Sequence, residues 1–254
     1  MSELYGYNLE NEMMHDKNFL NLYEVLIATD KNNDNRIISH AKLPFFKMGK
    51  INGHYLEVKL PYTKIIIDLE AMLDDSISAK REEVVKTLLD ADIDIQSIKP
   101  NIMTLIVNAE MDDLTKFLIS KKIPINFNNY ESVYQLAYFG KLDILKLIME
   151  TYHFPNIVEI AAKITANAIR GGQINVLQYF CPPESFKSAP DVISVFFTNS
   201  IIHGGHLPIV KYFVNNGVSI KHDQYAIVET AKKYKRADIL EYFCQLDENV
   251  KKLL

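Results

Sequence analysis

Four short runs of this 254-residue chain hold residue types that could do chemistry. Asp30-Lys31-Asn32-Asn33-Asp34-Asn35-Arg36-Ile37 places side-chain oxygens at positions one, three and five of a calcium-binding loop, with Ile37 at position eight. Position six, however, is Asn35, where glycine makes the sharp turn. Position twelve is Ala41, where a bidentate glutamate closes the coordination shell. An Asn/Asp-rich turn accounts for the run without an ion. His203-Gly204-Gly205-His206 has the spacing of a zinc-ligand pair, but no cysteine or further histidine lies nearby to complete four ligands. Neither Cys181 nor Cys244 lies in a motif that would activate its thiol, and no GxSxG occurs. Gly171-Gly172 and Gly204-Gly205 lack the Lys-Ser/Thr of a phosphate-binding loop. The expectation is a protein with no catalytic residue, no metal and no cofactor, hence not an enzyme.

The elements that hold these runs emerge from composition and periodicity. Hydrophobic residues make up 48% and charged residues 24%, enough apolar material for a sizeable core. A net charge of -4 and a pI near 6.0 give no general basic character, so no nucleic-acid partner is expected. The N-terminus is polar and does not look like a signal peptide. No run of eighteen apolar residues exists, so no membrane association is expected. Two cysteines far apart in sequence suit a reducing intracellular compartment.

The dominant feature is an internal repeat. Ser76–Leu88, Leu105–Phe117, Leu136–Ile148, Ala168–Phe180, Ile201–Phe213 and Ala231–Phe243 align. Their fifth column holds Lys80, Ala109, Gly140, Gly172, Gly205 and Lys235, at gaps of 29, 31, 32, 33 and 30 residues. A near-fixed period in this range signals stacked supersecondary units. Glycine in that column suits a helix C-terminus that needs positive φ. Four residues on come Ile144-Leu145, Val176-Leu177, Ile209-Val210 and Ile239-Leu240. Three further come Leu147-Ile148, Tyr179-Phe180, Tyr212-Phe213 and Tyr242-Phe243. These offsets make a broad apolar face at helical period. Pro208 fits the first turn of the second helix. Each unit is therefore helix, tight turn, helix.

The pattern resembles the ankyrin repeat. Gly205-His206-Leu207-Pro208-Ile209-Val210, Lys211-Tyr212-Phe213 and Asn216-Gly217-Val218-Ser219-Ile220 follow the family's GHxxIVxxLLxxGAxI run. Gly172–Leu177 and Gly140–Leu145 echo its first part, and Leu89–Ile95 echoes the loop after the second helix. The family's TPLH turn is absent from every copy; the fifth offers Phe196-Phe197-Thr198-Asn199. The prolines of Cys181–Pro190 are expected to distort one junction. The worn, Tyr- and Asn-rich style looks like the ankyrin families of giant DNA viruses of amoebae, the mimivirus type.

The fold class expected is mostly α: an ankyrin-type helix-turn-helix solenoid of about six repeats over 74–254, with a small α+β N-terminal capping module over 1–73. In that module, Asn18–Ala28 has helical spacing. Asn52-Gly53 is a hairpin signal between Phe45–Ile51 and Tyr55–Leu60, and Thr63–Leu69 reads as a further strand or extended segment. Tyr5-Gly6-Tyr7 with Asn11-Glu12, and His54–Pro61, look like worn motifs of the small module that often precedes such arrays. Asp247–Leu254 is expected to cap the far end with Val250, Leu253 and Leu254 on one side of a short helix.

The resemblance implies binding of a protein partner through a concave face and loop tips. The first-helix positions before the turn include Asn108, Tyr138, Arg170, His203 and Tyr234. The loop tips include Asn128, Asn129, Tyr130, Lys221, His222, Asp223 and Tyr225. The partner-binding residues expected are Tyr130, Tyr138, Arg170, His203, His222, Tyr225 and Tyr234, since tyrosine and arginine often carry interface energy. The function expected is that of a non-catalytic scaffold or adaptor engaging a host or viral protein. The alternative is a self-associating structural protein of a virion or assembly, a homo-oligomer. The location implied is the host cell cytoplasm or the virion.

Overall fold

The computed structural model describes residues 49–52, 55–59, 64–83, 85–86, 95–125 and 129–254. The Asn18–Ala28 helix, the Asp30–Ala41 run, the Tyr5–Glu12 motif and most of the Leu89–Ile95 loop lie outside them, as do Gly53 and Asn128. The chain packs as two compact units, divided between Asn128 and Asn129.

In the first unit, β1 (Gly49–Asn52), β2 (Tyr55–Lys59) and β3 (Lys64–Asp68) form an antiparallel sheet in the order β1-β2-β3. Asn52 pairs with Tyr55 and Leu56 with Ile67. β3 runs directly into α1 (Leu69–Ser78), so Leu69 opens a helix instead of ending a strand. Leu69, Leu73, Ser76 and Ile77 are buried, at i, i+4, i+7 and i+8 of one helical face. Residues 82, 83, 85 and 86 are helical beyond the turn at Lys80. After the short α2 (Ile95–Ile98) come α3 (Ile102–Asn108) and α4 (Asp112–Ser120). Lys99 donates to Glu70 at 3.0 Å and to Asp74 at 2.8 Å, tying α2's end back to α1.

The second unit is helical throughout its regular elements. α5 (Glu131–Tyr138) pairs with α6 (Leu142–Thr151), and α7 (Ile157–Gly171) with α8 (Ile174–Phe180). A short α9 (Ser185–Ser188) leads into α10 (Pro190–Asn199), continued by a π-helical segment, Ser200–Gly204, and then α11 (Leu207–Asn215). A 3-10 turn (His222–Tyr225) precedes α12 (Ala226–Lys233), α13 (Ala237–Leu246) and α14 (Glu248–Lys251). The helix starts follow local chemistry. The Asn156 side chain accepts from the Glu159 N–H at 3.2 Å and donates to its carboxylate at 3.1 Å, a reciprocal cap. Pro190 and Pro208 sit in first turns, where a missing N–H costs nothing.

Between paired helices the chain turns through a left-handed residue. These are Lys80 (φ 54°), Glu110 (φ 54°), Gly140 (φ 76°), Gly172 (φ 73°), Gly205 (φ 68°) and Lys235 (φ 55°). The second of these corrects the sequence alignment by one residue. Ala109 is right-handed (φ -78°) and the turn falls on Glu110, which evens the first two gaps. At Lys80, Glu110, Gly140, Gly172 and Lys235 the same pair of hydrogen bonds closes the helix. The turn residue's N–H reaches three residues back, and the next N–H reaches five back. That pair satisfies carbonyls orphaned at a helix C-terminus. At Gly205 a single bond to Ser200 O, 2.7 Å, closes the π segment instead. The widest gap, Gly172 to Gly205, ends in this segment, which holds an inserted residue without breaking the helix.

The aliphatic columns are inside: Ile144, Leu145, Val176, Leu177, Ile209, Val210 and Ile239 are buried. In the following column Ile148, Phe213 and Phe243 are buried, but Tyr179 is half exposed and Phe180 only partly covered. Because α8 stops ahead of Pro182-Pro183, Cys181 takes the inner place there, 3% exposed. At the C-terminus Val250 is buried, whereas Leu253 and Leu254 are exposed and contribute little to the cap.

Candidate interaction surface

In the second unit the residue that follows each of the last three turns reaches back over the turn of the preceding hairpin. A β-carbon on Gly140 would collide with the Gln173 carboxamide. One on Gly172 would stand 2.9 Å from the His206 ring, and one on Gly205 2.5 Å from the Arg236 guanidinium. The contacts are polar as well as close. His206 Nε2 lies 3.2 Å from the Arg170 carbonyl. Arg236 Nε and Nη2 donate to the Ile201 and Ile202 carbonyls at 2.9 Å each. Asn175 donates to the Gly140 carbonyl at 3.3 Å. The last two hairpins thus cap C-terminal carbonyls of the first helix before them, where positive donors are favoured, and the α7–α8 hairpin bonds the preceding turn. These bonds tie neighbouring hairpins together without a TPLH turn.

The residue just before the turn is also committed. A β-carbon on Gly171 would strike the Tyr138 carbonyl, and one on Gly204 would stand 2.8 Å from the Ile169 carbonyl. One residue earlier the chain faces outward: Tyr138 is 41% exposed, and Arg170 and His203 are exposed. In the last hairpin the same position holds Lys233, also exposed. Tyr234, the partner-binding residue expected from the sequence in this hairpin, is the other of the two positions before the turn. Tyr234 lies one residue on, 38% exposed, with Lys233 Nζ 5.8 Å from its ring centre. Asn108, in the first unit, is exposed two residues before Glu110.

The loop residues have a different setting. Asn129-Tyr130 and Gln224-Tyr225 adopt the same two left-handed conformations (φ 54° then 67°), each just before a first helix. Tyr130 is half-buried against Phe154, ring centres 5.4 Å apart. The Tyr225 hydroxyl donates to Asp247 Oδ2 at 2.7 Å, and Lys221 Nζ lies 2.9 Å from the same oxygen. The Lys221 ammonium, the Asn249 backbone N–H and the Tyr225 hydroxyl hold the Asp247 carboxyl well below the usual carboxylate range. The backbone of His222 lies in the 3-10 turn; its side chain and that of Asp223 lie outside the described residues.

Burial pushes the Cys181 thiol up to about 11, which keeps it a neutral core residue. The Tyr212 hydroxyl, itself pushed up to about 12 by burial, donates to the Cys181 carbonyl at 2.7 Å. Among the described residues, no three His, Cys, Asp or Glu side chains gather as metal ligands. No helix among them is long and apolar enough to cross a membrane. A cavity of about 590 Å³ opens between α10, α12 and the loop after α11. It is lined by Phe186, Ile193, Phe197, Val218 and Ile227, with Lys187 and Asp191 among its polar residues.

A protein of Acanthamoeba polyphaga mimivirus described as an ankyrin repeat protein is 36% identical to this chain over 203 residues, which are 80% of this chain and 70% of the relative. No family model matches the chain, and no solved structure matches it. Helix pairs closed by left-handed turns at a period near 31 residues, laced in the second unit through the residue after each of the last three turns, agree with that kinship: the chain belongs to the ankyrin-repeat family, in its mimivirus form.

Proposed function

We propose that this chain is a non-catalytic binding protein that engages a protein partner through the outward-facing residues at the ends of its first helices. The carrying observation is that Tyr138, Arg170 and His203 share one position in successive hairpins and are all exposed, while Gly171 and Gly204, beside Arg170 and His203, are packed against backbone. Tyrosine and arginine are the types that most often carry interface energy. In this reading the six left-handed turns mark six worn repeats, the row lies on their concave face, and the β1-β2-β3 sheet caps the first. Tyr234 extends the row. Tyr130, Tyr225 and His222 form a second tier at the loop tips, with Tyr225 chiefly anchoring the C-terminal turn. The setting is the cytoplasm of an infected cell.

Crosslinking with mass spectrometry in the native cell, comparing wild type with Tyr138→Ala, Arg170→Ala, His203→Ala together, tests this. Loss of specific crosslinked partners is expected; an unchanged partner set would refute the surface.

One observation favours a self-associating alternative. Ile157 and Val158 at the start of α7, and Val192 and Val195 early in α10, are exposed apolar residues. Light scattering over a concentration series separates the readings, since a concentration-independent monomer excludes self-association.

A further inference from the structure

The chain as a whole is acidic, with a net charge of -4, yet the ends of its first helices in the second unit are not. The position two before each turn runs Tyr138, Arg170, His203, Lys233, and Lys235 lies at the last turn itself. Most other cations of this unit are occupied. Lys163 pairs with Glu159 at 2.7 Å, Lys221 with Asp247, and Lys232 with Glu229. Lys146 and Lys211 lie over the Tyr179 and Tyr242 rings. Arg170, Lys233 and Lys235 make no ion pair among the described residues; Arg170 reaches only the Asn167 side-chain carbonyl, at 3.5 Å, and Lys233 Nζ lies 5.8 Å from the ring centre of Tyr234, beside the row. Of the carboxylates of the first helices, Glu131, Glu159 and Asp191 stand in the first turns, away from these ends, and Glu229, one turn before Lys233, pairs with Lys232. The carbonyls whose partial negative charge would offset the cations already accept bonds from His206 and Arg236.

Resting on the binding reading above, we infer that the row Tyr138, Arg170, His203, Lys233, with Lys235, docks an acidic extended segment of a partner protein. Unpaired cations set beside exposed Tyr138 and Tyr234 give such a segment charge complementarity and aromatic anchors together. Packed helices lie about 8–10 Å apart, so the row spans roughly 25–30 Å. That is the reach of about eight or nine extended residues.

The test uses the full chain and fluorescence anisotropy. The probes are a labelled peptide of about ten alternating Glu and Gly residues, its Lys/Gly counterpart, and a labelled oligothymidylate. Saturable binding of the Glu peptide alone is expected. It should weaken markedly between about 0.05 M and about 0.5 M salt, as screening shortens. Arg170→Glu with Lys233→Glu should weaken it about tenfold or more, the effect of a 1.4 kcal/mol swing. Circular dichroism confirms that this variant is folded, and Lys211→Glu, off the row, should leave binding unchanged. The inference is overturned by equal binding of both peptides, by no binding of either, by indifference to the double charge reversal, or by tighter binding of the oligothymidylate. If the triple alanine variant loses its crosslinked partner while the Glu peptide fails to bind, the surface stands and its acidic partner falls.

Discussion

Arg236 lies across Gly205 so closely that a β-carbon on the glycine would stand 2.5 Å from the guanidinium carbon, while the same guanidinium donates to the carbonyls of Ile201 and Ile202. One contact thus explains both a glycine and an arginine 31 positions apart, and it joins two successive hairpins.

Gly205→Ala should therefore destabilise the protein twice over. Left-handed backbone (φ 68°) costs an alanine about 1–2 kcal/mol. The displaced guanidinium loses charge-assisted bonds, each contributing about 1.5–3 kcal/mol. Gly217 is the comparison: its φ is 97° but nothing lies within 4 Å of an added β-carbon. Urea unfolding should show a clearly larger fall in midpoint for Gly205→Ala than for Gly217→Ala.

Arg236→Lys should behave as a loss, not a conservative change. An ammonium cannot reproduce the forked donation to two carbonyls, and a fall of about 1.5–3 kcal/mol is expected. Hydrogen exchange should quicken in Ser200–Gly204, whose end these bonds hold. Combined with Gly205→Ala the effects should be less than additive, because both break one contact.

Lys235 and Glu110 occupy left-handed turns without being glycine, at φ 55° and 54°. Lys235→Gly and Glu110→Gly should each stabilise the fold by up to about 1 kcal/mol, relief of strain being partly offset by the freer unfolded chain. A rise in thermal midpoint checks this; a fall would show that the lysine and glutamate side chains matter more than the backbone.

Asp247 makes stability pH-dependent at the acid end. Its carboxyl is depressed in the folded chain, first by Lys221 and then by the Asn249 N–H and the Tyr225 hydroxyl. A depressed carboxyl stabilises above the unfolded value, about 3.9, and that contribution is lost as pH falls through the folded value. Asp247→Asn should flatten the acid limb of stability against pH without changing its shape near neutrality.

The two thiols should differ in reactivity. Cys181 is buried with its thiol pushed up to about 11, while Cys244 is only partly buried. A disulfide reagent at mildly alkaline pH should label Cys244 first and reach Cys181 only on unfolding.

Much of this architecture is written locally. Glycine before an aliphatic pair at helical spacing marks a turn and a buried face, and Gly140, Gly172 and Gly205 with Ile144, Val176 and Ile209 sit where that logic puts them. Where glycine is missing the count can slip, as it does in one of three columns: Lys80 and Lys235 are the turns, but Ala109 is not. Ala109 was one residue short of the left-handed Glu110, because neither side chain advertises a backbone that only hydrogen bonding to Val107 and Leu105 makes necessary. Among the candidate site residues, Tyr138, Arg170 and His203 were legible as variable positions before a turn. Lys233 was not singled out, because of the two positions before the Lys235 turn the tyrosine, Tyr234, is the residue type that most often carries interface energy.

The sequence by itself determined the period, the helix pairs and the family, because these follow from side-chain types a few residues apart along the chain. Only the tertiary structure decided what joins one hairpin to the next. His206 on Arg170, Arg236 on Ile201 and Ile202, and Tyr225 on Asp247 are meetings between residues 22 to 36 positions apart. Their partners are mostly backbone carbonyls, which every residue carries and no pattern of side chains can single out. The same packing decided which polar residues remain outside, and so which surface is left to bind.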